Sequence, residues 1–196
     1  GDAVEGFRKA WELAVPFGEK DERAIRTLIQ LALALRNKPD YPEAEATARK
    51  ALSLSEAALG PSALEVSDAL NALAVILDDT DRADEAEAPY QRALAIRMKA
   101  LGPDHLDVAV SLGNLAFSFR RQQKYAEAEK LFQKALGIYE KAKDDSGVAF
   151  ALNSLGQVHS DLSRDDEAER EYRESLQIYD RLGGQDPSLA GVCFNL

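Results

Sequence analysis

Across 196 residues, 45% hydrophobic content is enough to bury a continuous core, so the chain does not read as disordered. A formal net charge of −10 argues against the basic stripe that nucleic acid requires, and equally against an anionic membrane surface. No run approaches the roughly 18 apolar residues of a transmembrane span, and no charged-then-apolar signal pattern opens the chain, so a cytoplasmic setting is expected. Cys193 is the only cysteine, which rules out an intrachain disulfide or a thiolate metal cluster.

The first segment, residues 1–18, has helical spacing, with Phe7, Ala10, Trp11 and Ala14 on one side and Pro16 to end it. It reads as the second helix of a preceding repeat or as an N-terminal cap. Residues 22–60 then form a helix pair, helix A near 22–36 and helix B near 42–59, with Asp40 as N-cap and Pro42 in the first turn. A second pair spans 64–102, where Pro89 should kink or delay helix B. The third, 106–143, carries SLGNLAFSF and AEAEKLFQKALGIY around the break RRQQKY, which is too short to let the helices separate. A fourth occupies 146–183 after a shortened loop, KDDSG. The tail 187–196 restarts helix A, with Leu189, Cys193, Asn195 and Leu196 standing where Val148, Leu152, Ser154 and Leu155 stood. An apolar helix cut there is a poor cap, so the natural chain is expected to continue past Leu196.

These segments are copies. Ala44, Ala86 and Ala128 are 42 apart, as are Leu31, Leu73 and Leu115, and Ala51, Ala93 and Ala135; the fourth copy arrives after 40 with Leu155, Gly156, Ala168 and Tyr172. Self-similarity on this scale means stacked units that bury their apolar faces against neighbours. The expected fold is all-α, an α-solenoid of antiparallel helix pairs with about nine helices and no strand.

Leu112, Leu115, Ala116, Phe119, Ala128, Phe132 and Ala135 together resemble the tetratricopeptide repeat, and Leu70, Leu73, Ala74, Leu77, Ala86, Tyr90 and Ala93 fit it again. The long step, with LGPDHLDVAVSLGNLAF and QKYAEAEKLFQKAL, is similar to the kinesin light chain type of repeat. The resemblance implies a right-handed superhelix whose A helices line a concave groove for extended peptides.

An enzyme is not expected. Of two histidines, His105 sits in a loop suited to packing or capping, and His159 takes the place of Phe119, a core position. The carboxylates recur as Glu-x-Glu on helix B (Glu43 and Glu45, Glu85 and Glu87, Glu127 and Glu129), two apart and on different faces, which suits solvated first-turn charges. No phosphate loop, zinc spacing or calcium loop is present, so neither cofactor nor metal is expected.

The resemblance carries groove positions over one at a time. In the L-x-N-L motif the asparagine faces the groove, and it stands here as Asn114, with Asn71 and Asn153 one position earlier in their repeats. An amide offers both donor and acceptor to an extended chain, or equally to a neighbouring helix. One turn on are Val75, Phe117 and Gln157, then Arg120 and Arg121. Equivalent positions suggest stacked charges, Arg26 over Asp68, Arg36 over Asp78 over Arg120, and Asp79 over Arg121 over Asp161. Those arginines either pair between repeats or hold an acidic peptide. A carboxylate clamp is not matched, because Ile29, Asn71, Gly113 and Asn153 fill the place of its first lysine. Two functions follow from this reading: a non-catalytic module binding a protein or peptide partner, as a monomer or with weak self-association, or a regulatory or oligomerisation segment of a larger protein.

Overall fold

The computed structural model describes residues 3–183 apart from Val15, Phe17, Glu19 and Pro39. The expected helix restart with Leu189, Cys193, Asn195 and Leu196 lies outside the described residues. Among those described there are nine helices and no strand. They are α1 Ala3–Ala14, α2 Glu22–Arg36, α3 Tyr41–Leu59, α4 Leu64–Asp79, α5 Ala83–Leu101, α6 Leu106–Arg121, α7 Tyr125–Ala142, α8 Asp145–Asp161 and α9 Asp165–Arg181. The chain divides into two compact units, Gly1–Leu101 and Gly102–Leu196. In the first, α1 packs on α2, α2 on α3 and α4, α3 on α4, and α4 on α5; in the second, α6 packs on α7, α7 on α8, and α8 on α9. Each unit is thus a stack of hairpinned helix pairs.

Three hairpins close through the same turn, Thr80–Arg82, Gln122–Lys124 and Leu162–Arg164. Its middle residue is left-handed, with φ of 59° at Asp81, 59° at Gln123 and 57° at Ser163. The third residue then donates its N–H five residues back, Arg82 to Leu77, Lys124 to Phe119 and Arg164 to His159, at 2.8–3.0 Å. A non-glycine residue in that region costs about 1–2 kcal/mol, which the returned hydrogen bonds and the packing of both helices offset. Between pairs, Gly60 and Gly102 take positive φ and leave a four-residue connection. After α7 only Lys143 and Asp144 remain, so α8 starts at Asp145 and the repeat step shortens by two.

Two local expectations change. α5 starts at Ala83 and runs through Pro89 without delay, since packing of the whole helix outweighs one missing N–H. Asp40 stands at the N-cap of α3, but its side chain makes no cap bond; its carbonyl takes the Ala44 N–H instead.

The repeated small residues sit at the helix crossings. Ala44, Ala86 and Ala128 are fully buried and Ala168 is 4% exposed. In the second unit Ala116 and Ala128 lie in one cluster with Phe132, Leu155 and Val158. Gly156, in the register of Ala116, goes further: a Cβ there would lie 2.6 Å from a Tyr172 ring carbon. Ser175, in the register of Ala135, is buried and donates to the Ala149 carbonyl at 2.7 Å, tying α9 to α8.

These contacts separate two glycines of one unit. Gly137, inside α7, has nothing within 4 Å of where a Cβ would stand. Gly137→Ala should therefore stabilise by roughly 0.5–1 kcal/mol through helix propensity. Gly156→Ala should instead destabilise by about 1–3 kcal/mol because the Tyr172 ring must move. Urea unfolding of both variants checks the opposite signs.

Candidate functional site

In the first unit, α2 and α4 carry a depression of about 570 Å³. Ile29 and Leu33 supply apolar surface, Gln30 and Asn71 amides, and Arg26, Asp68 and Arg97 charge. Asn71 lines this depression, and Val75 stands one turn further along α4, half-buried. Arg97 was not foreseen, because it comes from helix B. Its guanidinium, only 12% exposed, donates to Ser67 Oγ at 3.2 Å and to Asp68 at 2.6 Å.

In the second unit α6 carries Asn114, Phe117, Arg120 and Arg121, and α8 carries Asn153 and Gln157. Arg120 joins two of these positions, donating to Gln157 Oε1 at 2.9 Å and to Asp161 Oδ2 at 2.5 Å. Arg121 is exposed, while Asn114, Asn153 and Gln157 are half-buried. Phe117 does not stand out into solvent. Its ring meets Phe132 edge-on at 5.0 Å and Phe150 at 5.8 Å, so it seals the core beneath the α6–α8 face.

The charge register differs from simple stacking. Arg36 pairs with Asp79 rather than Asp78, and Arg120 with Asp161 in place of Arg121. Arg26 binds Glu65 at 2.9 Å and Glu22 at 2.6 Å, leaving Asp68 to Arg97. Equivalent residues on parallel-running helices point the same way, so they cannot face one another. A pair needs the adjoining flanks, which a helix reaches one residue on (about 100°) or three residues back (about 60° in the same sense). Asp79 and Asp161 are one residue on from equivalence; Glu65 and Gln157 are three back.

Asp78, freed from that role, is buried at 6% exposure and takes a hydrogen bond from Tyr90. Burial first, and then the Asp78 charge, push the Tyr90 hydroxyl far above the ordinary tyrosine range. Glu45 and Glu129 also differ from the solvated charges expected. Glu45 is clasped by Arg49 and by Arg82 at 2.7 Å each, and Glu129 by Arg164 at 3.3 Å. Burial pushes Glu45 up, but both arginines outweigh it and hold its carboxyl below the ordinary value. Arg26 does the same for Glu65. His105 caps α6, its Nδ1 accepting the Asp107 N–H at 3.1 Å. His159 is packed, as its core position suggests, but between two carboxylates: Nδ1 lies 2.8 Å from Glu171 and Nε2 3.3 Å from Glu129. Among the described residues no group of three or more His, Cys, Asp or Glu side chains could hold a metal ion, and no helix is long and apolar enough to cross a membrane.

The family description "Tetratricopeptide repeat" matches residues 22–99, 79–141 and 107–181. The chain belongs to the tetratricopeptide repeat family. Arrays of this family are protein-interaction scaffolds, typically without catalysis of their own, and their partners are proteins. No curated protein matches the sequence. Among solved structures the tetratricopeptide array is similar to BtubC (BKLC) from P. vanneervenii, with a TM-score of 0.83, 24% identity, and 99% of this chain and 80% of that one covered. It is also similar to a putative kinesin light chain of Podosopora anserina with TPR-like repeats, at a TM-score of 0.73 and 16% identity over 92% and 87%. Aspartyl phosphate phosphatase F from Bacillus subtilis matches with a TM-score of 0.82 and 16% identity, over 98% of this chain and 49% of that one. These likenesses place the repeats in the kinesin light chain type of fold.

The clasped carboxylates give the tetratricopeptide array an acid-sensitive contribution. A carboxyl lowered by folding stabilises above its unfolded pKa, and the gain disappears as pH falls through the folded one. Glu45→Gln should cost about 1 kcal/mol near neutral pH, modest because Arg82 and Arg49 are partly exposed. Well below the ordinary glutamate value of 4.5, at about pH 2, parent and variant should converge. Urea titrations at both pH values measure this.

Proposed function

We propose that the array is a non-catalytic scaffold that holds a peptide segment or partner domain on the A-helix faces, in the cytoplasm and without nucleic acid or membrane as partner. The observation that carries this reading is the α2–α4 depression, where the Gln30 and Asn71 amides stand beside apolar Ile29 and Leu33. An extended chain needs that combination, since its backbone seeks donors and acceptors while alternate side chains seek apolar contact. The α6–α8 face offers Asn114, Asn153 and exposed Arg121, with Val75 and the Phe117-sealed surface as apolar ground in their own units. Arg120 donates to Gln157 Oε1 and to Asp161, which fixes the geometry of that face.

A second reading, self-assembly or regulation within a longer protein, is supported by Leu106 and Val110, four apart on α6 and 39% and 44% exposed. Sedimentation over a range of concentrations separates the two, since a dimer lost in Val110→Asp favours assembly.

The groove is tested by panning a random-peptide display library on the parent. Selected peptides should bind Gln30→Ala, Asn71→Leu at least tenfold more weakly, measured at a temperature where circular dichroism shows both proteins folded. Peptides that bind both proteins equally would place the binding surface elsewhere.

A further inference from the structure

His159 is one of only two histidines, and it is 4% exposed. From α7, Glu129 brings Oε1 to 3.3 Å from Nε2, and from α9, Glu171 brings Oε2 to 2.8 Å from Nδ1. The Nε2 contact is within ion-pair range but not aligned as a hydrogen bond. Other charges act on the two acids. Arg164, in the turn before α9, reaches Glu129 at 3.3 Å, and Gln133 of α7 donates to it at the same distance. Along α9, Glu167 and Arg170 flank Glu171. Asp161 on α8 is committed to Arg120.

A neutral imidazole has one N–H and one lone pair. With Nδ1–H given to Glu171, the Nε2 lone pair, itself out of contact with water, faces the oxygens of Glu129, and two lone-pair-bearing groups repel. One additional proton removes the conflict, whether it rests on the ring or on an acid. We propose that Glu129, His159 and Glu171 form a proton-binding lock, in which one proton taken from solvent ties α7 to the α8–α9 hairpin and its loss on raising the pH loosens them.

Glu171 points the same way: burial raises its carboxyl and outweighs the charge and hydrogen bond of His159, which pull it down, with a smaller push upward from Glu167 and a smaller pull downward from Arg170. A group with a folded pKa above its unfolded one stabilises at low pH, and that contribution is lost as pH rises through the folded value. The loss therefore falls above the ordinary glutamate value of 4.5. Clasped Glu45 and Glu65, which are lowered, act in the opposite direction and at more acid pH.

The test compares thermal unfolding of the full chain at about pH 5.5 and about pH 8, a window in which histidine is the side chain that ordinarily titrates. His159→Gln keeps a polar side chain and carries no titrating proton. The parent should lose about 2–4 °C more than this variant between the two pH values. Glu129→Gln, which presents an amide donor to Nε2, should flatten the response as well, and it serves if His159→Gln unfolds. His105→Gln, removing the other histidine, should respond as the parent does. Equal shifts in parent, His159→Gln and Glu129→Gln would overturn the lock, as would a response abolished by His105→Gln.

Discussion

Close approach of helices at small residues is the constraint from which the rest of this molecule follows. Ala44, Ala86, Ala128 and Ala168 let helix B lie against its neighbours, and Ala116 and Gly156 do the same from helix A. Closeness brings Phe132 and Tyr172 into contact with those positions, and it fixes where the hairpin turn must close. The left-handed backbone of Asp81, Gln123 and Ser163 is tolerated because two packed helices determine the turn between them. Local chemistry alone would have put glycine or asparagine there.

With the helices set at that spacing, side chains on their flanks meet across repeats. Arginine does most of this linking, because a planar guanidinium on a long stem can serve two acceptors at once. Arg120 holds Gln157 and Asp161, Arg82 holds Glu45 and Glu85, and Arg26 holds Glu22 and Glu65. Each exposed pair is worth about 0–1 kcal/mol. Beyond that contribution, they fix which groups on each face are tied to a neighbouring helix.

A repeat scaffold of this kind separates its tasks by position. Core residues recur because every repeat solves the same packing problem, whereas residues on the exposed A-helix faces vary from copy to copy. Leu33, Val75, Phe117 and Gln157 share one register, yet one lines a depression, one seals an aromatic cluster and one accepts from an arginine.

The sequence by itself determined the helix order, the pairing of helices and the buried alanines, because those follow from periodicity and size, which every copy repeats. It also placed His105 at a helix start and His159 in the core. Only the tertiary structure decided which charges meet. Sequence register compares positions that point in the same direction, while a contact needs flanks that point toward each other, and the rotation between them turned Asp78 inward to Tyr90 and gave Asp79 to Arg36. The acids around His159 were hidden for the same reason: Glu129 and Glu171 come from two different helices, and one-dimensional spacing carries no record of what a fold brings to the two nitrogens of a buried ring.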